Sequence, residues 1–515
     1  MAMDGSAGAA PQRQLTPEHM GRAARAGEMI GAMTPGAPRG VIAGAGLPRA
    51  TRLIARGAEL DATLAALTTS EPPNAVALIG PSGVGKSALA AEVVALAAER
   101  GAFPGGVMWL PSEGLSGDPG LAALRQELAN ALGGARGPDA PPALLAFDHV
   151  EPPLDVAALM DGLGDENVAV LVTARQPLLD ERITETPLAP LDEDAAAKLL
   201  RHALQQADPR RPAEGNEPLI VGAAHMLGGL PLVIGLTAAR VAIMSLPLNV
   251  AQDAGPSRLR DVFDWAWESL PAHARLAFAG LALIEGATFP RGAALAVVGA
   301  AHAQTDGAGS ANMADEAWRA GAAATLDALV GLRLIDPLAS GRLRLQVPIR
   351  QYAARRLGET PEEWRDALGD ALAAWWLDFA RRQEGHAGAA TLDVEGSGLI
   401  GALTWAHARD RRQSVLDLVD ALSPAWRARR RATDLRQALA WSVSAAHAAG
   451  DAAHLRRALH DLALHDASVG RIEDARAGFA EALRVASGAG DAEAAEIERR
   501  AVASLPALPE AADQA

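Results

Sequence analysis

The stretch IGPSGVGKSALA, residues 79–90, passes from an apolar end through a glycine-rich turn into helix-forming residues. The five residues before the turn, AVALI at 75–79, form a continuous apolar run of the kind found in buried parallel strands. Residues 88–99 consist mainly of helix formers. Glycines let the backbone N–H groups of such a turn converge on an anion, and the following helix adds the positive end of its dipole. The stretch therefore predicts a phosphate site between a strand and a helix.

The turn matches the eight-residue pattern G-x-x-x-x-G-K-[ST] at Gly80, Pro81, Ser82, Gly83, Val84, Gly85, Lys86 and Ser87. In this pattern the Lys86 ammonium reaches the β and γ phosphates, and the Ser87 hydroxyl ligates magnesium. The alternative is a glycine-rich turn with an incidental lysine. The flanking strand and helix favour the nucleotide site, so we expect ATP or ADP with Mg²⁺ as cofactors.

A second buried strand supplies a candidate partner for the magnesium ion. Residues 143–148, ALLAFD, form an apolar run that ends in Asp148, the position at which P-loop proteins place an acidic side chain. Many enzymes of this type that hydrolyse nucleotide carry a second carboxylate immediately afterwards, whereas this chain has His149. Glu151 could substitute or could be an ordinary surface residue. We therefore expect slow ATP hydrolysis at most, and we count Asp148 and Lys86 as its catalytic candidates.

A third apolar run, VAVLVT at 168–173, precedes Arg175. Ligands of open α/β sheets bind outside the carboxyl ends of the strands, where an arginine could contact the γ phosphate. Taken alone, Arg175 fits a surface position better, but its place after this strand makes it a third catalytic candidate beside Asp148 and Lys86.

Composition limits the class of protein. Among 515 residues there is no cysteine, which excludes disulfide scaffolds and thiolate metal sites. The net charge of -15 argues against a surface that attracts nucleic acid throughout. The first residues lack the apolar core of a signal peptide, and the most apolar later stretch is short and interrupted by Arg240. We expect a cytoplasmic protein that does not span a membrane.

The order of these strands resembles the NB-ARC type of STAND nucleotide switches, especially the bacterial ATPase cores linked to AfsR-like and LuxR-like regulators. Residues 53–60, LIARGAEL, are similar to that family's motif hydrophobic-hydrophobic-Gly-Arg-x-x-Glu-Leu, with Ala55 in place of the usual glycine. Residues 228–232, GGLPL, match its GLPL motif. The resemblance implies that Arg56 and Pro231 belong to the nucleotide site, with Pro231 beside the base.

The predicted fold class is α/β: a P-loop core with a doubly wound parallel sheet, followed by an all-α domain, a winged helix and a TPR-like helical array. The resemblance and the composition together divide the chain into five parts. These are a flexible arm at 1–48, a nucleotide-binding domain at 49–205, a small helical domain at 206–256, a winged helix at 257–358 and a helical sensor domain at 359–515. Within the arm, residues 16–33 could form one short helix.

Residues 345–353, LQVPIRQYA, occupy the place of the family's Met-His-Asp motif, whose histidine reads the ADP β phosphate. Here Gln346 and Val347 stand at the histidine and aspartate positions. Gln346 can donate a hydrogen bond but offers no cationic imidazole, and Val347 cannot orient it as a carboxylate would. We therefore count Gln346 as a cofactor-binding candidate. We expect the ADP-bound state to be less stable than in the family, or ADP to be recognised through a different contact.

The last third of the chain is rich in alanine and helical in pattern. Small and apolar residues from Leu459 to Ala482 follow the spacing of a tetratricopeptide unit, in which two helices pack closely. A plain helical bundle is the alternative. As a repeat array this region would bind a protein or small-molecule trigger.

Three functions follow as hypotheses. In the first, ADP holds the nucleotide core against the winged helix, and exchange for ATP releases a form that oligomerises or engages a separate effector protein, in transcriptional regulation or defence signalling. The second is a P-loop phosphotransferase acting on a small acceptor. The third is a helical scaffold with a vestigial nucleotide site. We do not expect direct DNA binding, because the winged helix of this family usually packs on the nucleotide core.

Overall fold

The computed structural model describes the chain in thirteen segments. The described residues are 14–32, 53–69, 75–111, 141–150, 160–161, 167–178, 180–208, 217–244, 259–305, 316–338, 341–383, 385–428 and 432–505. The chain divides into two compact units, which are described separately. Unit 1 comprises Met1–Ala282 with Gly286–Pro361, and unit 2 comprises Leu283–Glu285 with Glu362–Ala515.

In the described residues, unit 1 begins with two helices, and strands and further helices follow. Its first elements are α1 (Pro17–Ala32), α2 (Gly57–Thr69), β1 (Ala75–Ile79), α3 (Lys86–Glu99), β2 (Val107–Pro111), β3 (Ala143–Val150), β4 (Val168–Ala174) and β5 (Ile183–Pro187). The elements that follow are α4 (Glu193–Ala207), α5 (Glu217–Met226), α6 (Pro231–Ile243), α7 (Leu259–Ser269), α8 (Ala272–Gly280), β6 (Phe289–Pro290), α9 (Arg291–Thr305), α10 (Glu316–Gly331), β7 (Asp336–Pro337), β8 (Arg342–Arg344) and α11 (Val347–Gly358).

The large sheet is parallel and confirms the predicted α/β class. In the described part of the chain its strand order is β2-β3-β4-β1-β5. Residues 76 and 78 of β1 belong to the apolar cluster that contains α2 and α3. Residues 75, 77 and 79 belong to a second cluster that is formed largely by alternate strand residues. Since both faces are buried, the strands read as continuous apolar runs rather than alternating ones.

The strand register decides which side chains meet. Ile79 of β1 pairs with Ala174 of β4, and Phe147 of β3 pairs with Val172. The carboxyl ends of these three strands are therefore neighbours at one edge of the sheet. The glycine turn after β1, Asp148 at the end of β3 and Thr173 in β4 are brought together there.

Helix α1 packs along α10 within unit 1. A Cβ atom built on Gly27 would lie 1.9 Å from the Asp327 carbonyl oxygen, and one built on Gly331 would lie 2.0 Å from the Ala23 carbonyl oxygen. This reciprocal glycine contact lets the two backbones approach closely. Residues 17–32 thus form the short helix that the sequence analysis allowed within the arm, and tertiary packing stabilises a helix that would be marginal in isolation. The rest of that arm lies almost wholly outside the described residues.

A second, small sheet follows the helices of unit 1. Strands β7 and β8 pair antiparallel, with Asp336 opposite Arg344, and β6 pairs with the other edge of β8. Strands β7 and β8 thus form a hairpin within the segment predicted to be a winged helix. The hairpin leads directly into α11, whose first turn carries Gln346 as its N-cap.

Unit 2 is helical throughout its described residues. Its helices are α12 (Glu362–Arg381), α13 (Gly385–Val394), α14 (Gly396–Ala408), α15 (Arg412–Ala428), α16 (Ala432–Ala449), α17 (Ala452–Ser468), α18 (Ile472–Gly488) and α19 (Ala492–Ser504). From α15 onward each helix packs on the next. Ala463, Ala475 and Phe479 form the buried contact between α17 and α18, as the small-residue spacing predicted.

Positive-φ glycines separate the last helices of unit 2. Gly450, Gly470 and Gly490 recur every twenty residues between α16 and α19, with φ angles of 69°, 82° and 73°. Two of them precede aspartates, Asp451 and Asp491, whose side chains cap the next helix. Each glycine ends one helix and each following residue starts the next, which makes the array regular. None of the described helices is both long and apolar enough to cross a membrane.

Candidate functional site

The glycine turn adopts the conformation that its sequence requires. Gly83 and Gly85 have φ angles of 82° and 103°, in the left-handed region that favours glycine. Gly85 is the N-cap of α3 and has no side-chain cap, so the first N–H groups of the helix stay directed toward the turn. Gly80 lies against the Leu188 carbonyl oxygen, 2.5 Å from where a Cβ atom would be. The turn therefore presents backbone donors and excludes larger residues.

Lys86 is held at the centre of this turn. Its Nζ donates to the carbonyl oxygens of Gly80 and Pro81, at 2.7 Å and 3.0 Å, and the residue is buried. Val84 is also fully buried and anchors the turn against the core. The ammonium is thus fixed beside the loop that would surround a phosphate.

Asp148 joins the turn to the sheet. Ser87 Oγ donates to Asp148 Oδ1 at 2.7 Å, and Thr173 Oγ1 donates to the same oxygen at 2.6 Å. A hydroxyl and a carboxylate side by side are the oxygen donors that Mg²⁺ prefers, with phosphate oxygens and water completing its octahedron. Ser87 and Asp148 therefore fit a magnesium ion. Thr173, which the sequence analysis missed as a site residue, orients the carboxylate.

His149 occupies a strained backbone position next to Asp148. Its φ is 70°, its N–H donates to Thr173 Oγ1 at 2.9 Å, and the residue lines the cavity described below. Histidine, asparagine and aspartate tolerate positive φ better than most residues. Glu151, the predicted alternative carboxylate, lies outside the described residues.

A cavity of about 510 Å³ opens against this turn, within unit 1. Its first wall consists of residues 82–83 and 85–88 with Asp148 and His149. A second wall is contributed by α4 and the start of α6, including Pro231. The third wall is the segment from Arg333 to Pro348, which spans the hairpin and the start of α11. Elements more than two hundred residues apart in sequence thus enclose one space beside the phosphate turn.

The third wall carries a polar cluster. Asp336 Oδ2 accepts from Gln346 Nε2 at 2.9 Å and from Arg344 Nη2 at 3.0 Å, and all three residues line the cavity. Val347 offers no carboxylate to orient Gln346, as its apolar side chain implies. Asp336 supplies one instead, from the facing strand of the hairpin. Only the antiparallel pairing of β7 with β8 reveals this.

The second and third walls are linked by polar contacts. Arg333, whose φ is 60°, donates from Nη2 to Gln206 Oε1 at 3.3 Å. Gln206 Nε2 in turn lies 2.9 Å from His202 Nε2, one helical turn earlier in α4. These residues gave no recognisable motif in the sequence. Their proximity to the phosphate turn arises from the fold.

The GLPL segment contacts the phosphate turn directly. Leu232 N donates to the Gly83 carbonyl oxygen at 3.2 Å, and Pro231 begins α6 beside Gly85. Gly229 has a φ of 65° and lies against the Leu191 carbonyl oxygen, so a side chain there would clash with the preceding loop. The structure thus brings Pro231 to the cavity.

Five predicted site residues are not part of the cavity lining: Gly80, Pro81 and Val84 of the turn, and the two arginines Arg56 and Arg175. Arg56 is buried, and its guanidinium donates to Glu59 Oε1 at 2.7 Å and to the Ala189 carbonyl oxygen at 2.5 Å. It therefore ties α2 to the loop after β5. Arg175 is exposed at the carboxyl end of β4. Contact of either residue with a nucleotide remains a proposal.

Comparisons with known proteins give distant structural likenesses. No family model and no curated protein matches the chain. Among solved structures, a STAND protein with a tetratricopeptide repeat sensor from Pyrococcus horikoshii is 12% identical, with a TM-score of 0.36 over 88% of this chain and 80% of that one. The structure of Drosophila ORC bound to DNA is 14% identical, with a TM-score of 0.25 over 60% of this chain and 96% of that one.

Proposed function

We propose that this chain is a nucleotide-dependent switch of the STAND type, which binds ADP or ATP with Mg²⁺ in the cavity of unit 1. One observation supports it above the others. The phosphate turn and the Arg333–Pro348 segment line the same cavity, although they belong to different sheets of the unit. A nucleotide in that cavity would touch both.

In such a cavity, exchange of ADP for ATP can shift the chain from one conformation to another. A ligand shifts an equilibrium between two arrangements only by binding one of them better than the other. ADP and ATP differ by one phosphate, and the phosphate turn faces a wall that carries both cations and a carboxylate. We propose that the closed arrangement prefers ADP and that ATP loosens the hairpin from the turn.

The proposed residue roles follow the geometry. Backbone N–H groups of the turn and Lys86 would bind the phosphates, while Ser87 would ligate magnesium with Asp148 as its hydrogen-bond partner. The magnesium ion would neutralise phosphate charge when bound. Pro231 would lie against the base. Hydrolysis would be slow, because His149 stands where a second carboxylate would polarise water.

Partners belong to the same proposal. The helices of unit 2 would bind a protein or small-molecule trigger, and the ATP-bound form would assemble with further copies or with a separate effector. The hairpin of β7 and β8, with the helices around it, would act as the winged helix of the switch rather than as a DNA-binding domain.

The test is the identity of nucleotide released when freshly purified protein is denatured, measured together with the protein's mass in solution with ADP and with a non-hydrolysable ATP analogue. We expect copurified ADP on a monomer and a larger assembly with the analogue. Lys86→Ala should purify without nucleotide, whereas Lys198→Ala, at an exposed position of α4, should behave as the wild type.

An empty site with unchanged mass in both nucleotides would contradict the switch and direct attention to the helical scaffold. Turnover stimulated by small acceptors would instead favour a phosphotransferase.

A further inference from the structure

Arg344 has an unsatisfied donor in the cavity wall. Its Nε is buried and has no hydrogen-bond partner among the described residues, although the side chain lines the cavity. A buried donor without an acceptor costs free energy, and this cost is larger for a charged group. A ligand that brings a hydrogen-bond acceptor into the cavity would satisfy this donor.

Asp336 fixes the direction of this arginine. Arg344 Nη2 donates to Asp336 Oδ2 at 3.0 Å, and the two side chains are 17% and 21% exposed. The guanidinium is planar and rigid, so a bond on one side of the fork determines where the remaining donors lie. Gln346 donates to the same oxygen and is thereby held beside Arg344.

We infer that Arg344, positioned by Asp336, binds a terminal phosphate of the nucleotide from the side of the cavity opposite Lys86. This inference rests on the proposed function and names the contact through which the hairpin senses the nucleotide. Arginine N–H groups bind phosphate oxygens by charge-assisted hydrogen bonds, and the buried Nε–H of Arg344, which has no acceptor among the described residues, can donate to one of these oxygens. Gln346 adds a neutral donor next to it.

The charges of the cavity favour a phosphate over other acceptors at this point. Lys86, Arg333 and Arg344 are cationic and line the cavity, while Asp148 and Asp336 are anionic, so the lining retains a formal excess of positive charge. The charge of Asp148 would be offset by the magnesium ion. A phosphate bridging Lys86 and Arg344 would connect the turn to the hairpin and hold the closed arrangement.

The experiment compares Arg344→Gln with Arg342→Gln by calorimetric titration with ADP and with AMP. Arg342 is two residues away on the same strand but binds Thr288, at 3.0 Å from Nε to Oγ1, and is not part of the cavity lining. We expect Arg344→Gln to weaken ADP binding by roughly tenfold to a hundredfold, as charged hydrogen bonds do, with AMP binding nearly unchanged. Arg342→Gln should leave both affinities near the wild-type values.

Wild-type ADP affinity in Arg344→Gln would overturn the inference while leaving the proposed function intact. If the wild type itself bound no ADP and matched Lys86→Ala, the proposed function would fail instead. Should Arg344→Gln fold poorly, Arg344→Lys keeps the charge but lacks the fork. We expect it to lose several-fold in ADP affinity, and an unchanged affinity would equally overturn the inference.

The positioning role of Asp336 has its own readout. Asp336→Asn should weaken ADP binding less than Arg344→Gln does, and adding it to Arg344→Gln should cause little further loss. A purely structural role would instead give independent, additive losses in ADP affinity. Additive losses would therefore refute the positioning role.

Discussion

Among single residues, one position outside the cavity lining has a φ angle that its side chain disfavours. Ala55 has a φ of 56° and is exposed, in the motif where the resembling family has glycine. An L-residue in this region is strained, which explains why glycine is usual there. The residue immediately after it, Arg56, ties α2 to the core.

Ala55→Gly should therefore raise the free energy of unfolding, by about 1 kcal/mol, because the strain of positive φ is removed. Chemical denaturation of both proteins measures this difference. The matched control is Ala62→Gly at an exposed position inside α2, which should lower stability by about 1 kcal/mol. Equal effects of the two glycines would show that Ala55 is not strained.

His149 offers a test of why hydrolysis should be slow. In His149→Asp a second carboxylate would follow Asp148, and aspartate tolerates the positive φ found there. We expect the ATPase rate to rise about tenfold or more, in the range that a positioned general base contributes. Single-turnover assays measure the rate, with His149→Asn as the uncharged control. A rate no higher than that of the control would contradict this explanation.

At the scale of elements, helix pairs are joined by close glycine contacts. Gly27→Ala in α1 would place a methyl group against the Asp327 carbonyl oxygen of α10. Overpacking of this kind costs about 1–3 kcal/mol, and the helices must separate to relieve it. We expect faster amide hydrogen exchange in residues 17–32 together with lower stability.

Gly21→Ala is the control in the same helix, because a Cβ there meets only Arg25 Nη1, at 3.7 Å. It should increase stability by up to about 1 kcal/mol through helix propensity. If both variants protected α1 from exchange equally, the close packing of α1 on α10 would be refuted.

For the molecule as a whole, the response to acid depends on titratable side chains that are buried between the helices of unit 2. In unit 2, Glu498 of α19 is fully buried between Arg456, at 2.8 Å, and His460, at 2.8 Å. Nearby in α17, burial lowers the pKa of His465 below its ordinary value of 6.5; the adjacent Asp466 carboxylate opposes this shift, and the surrounding arginines add to it. The neutral form of His465 is therefore the one that the folded unit prefers.

This preference gives unit 2 an acid response. Because the folded state takes up the His465 proton at lower pH than the unfolded state, stability is fully present above pH 6.5 and falls as the pH decreases below it. The fall is at most about 1.4 kcal/mol per pH unit for this group. Urea denaturation at pH 7.5 and 5.5 should show a smaller loss for His465→Gln than for the wild type. An equal loss would exclude His465 as its source.

The sequence by itself determined the phosphate turn, the three strands around it and the parallel α/β core. These features follow from local rules: Gly83 and Gly85 are needed for positive φ, and apolar runs such as 168–173 indicate strands buried on both faces. The packed pair α17 and α18 was also predictable, because the spacing of small residues is a local signal.

The residues that share the cavity with the phosphate turn could not be predicted from the sequence, because tertiary contacts bring them there. Asp336, Arg344 and Arg333 lie far from it in sequence and match no motif, and they become site residues because the hairpin closes over the cavity. Thr173 looked like an ordinary strand residue until the register of β3 and β4 placed it on Asp148. Helix α1 likewise owes its stability to α10. A local pattern states what a segment can form, whereas contacts between distant segments depend on how all the elements pack together.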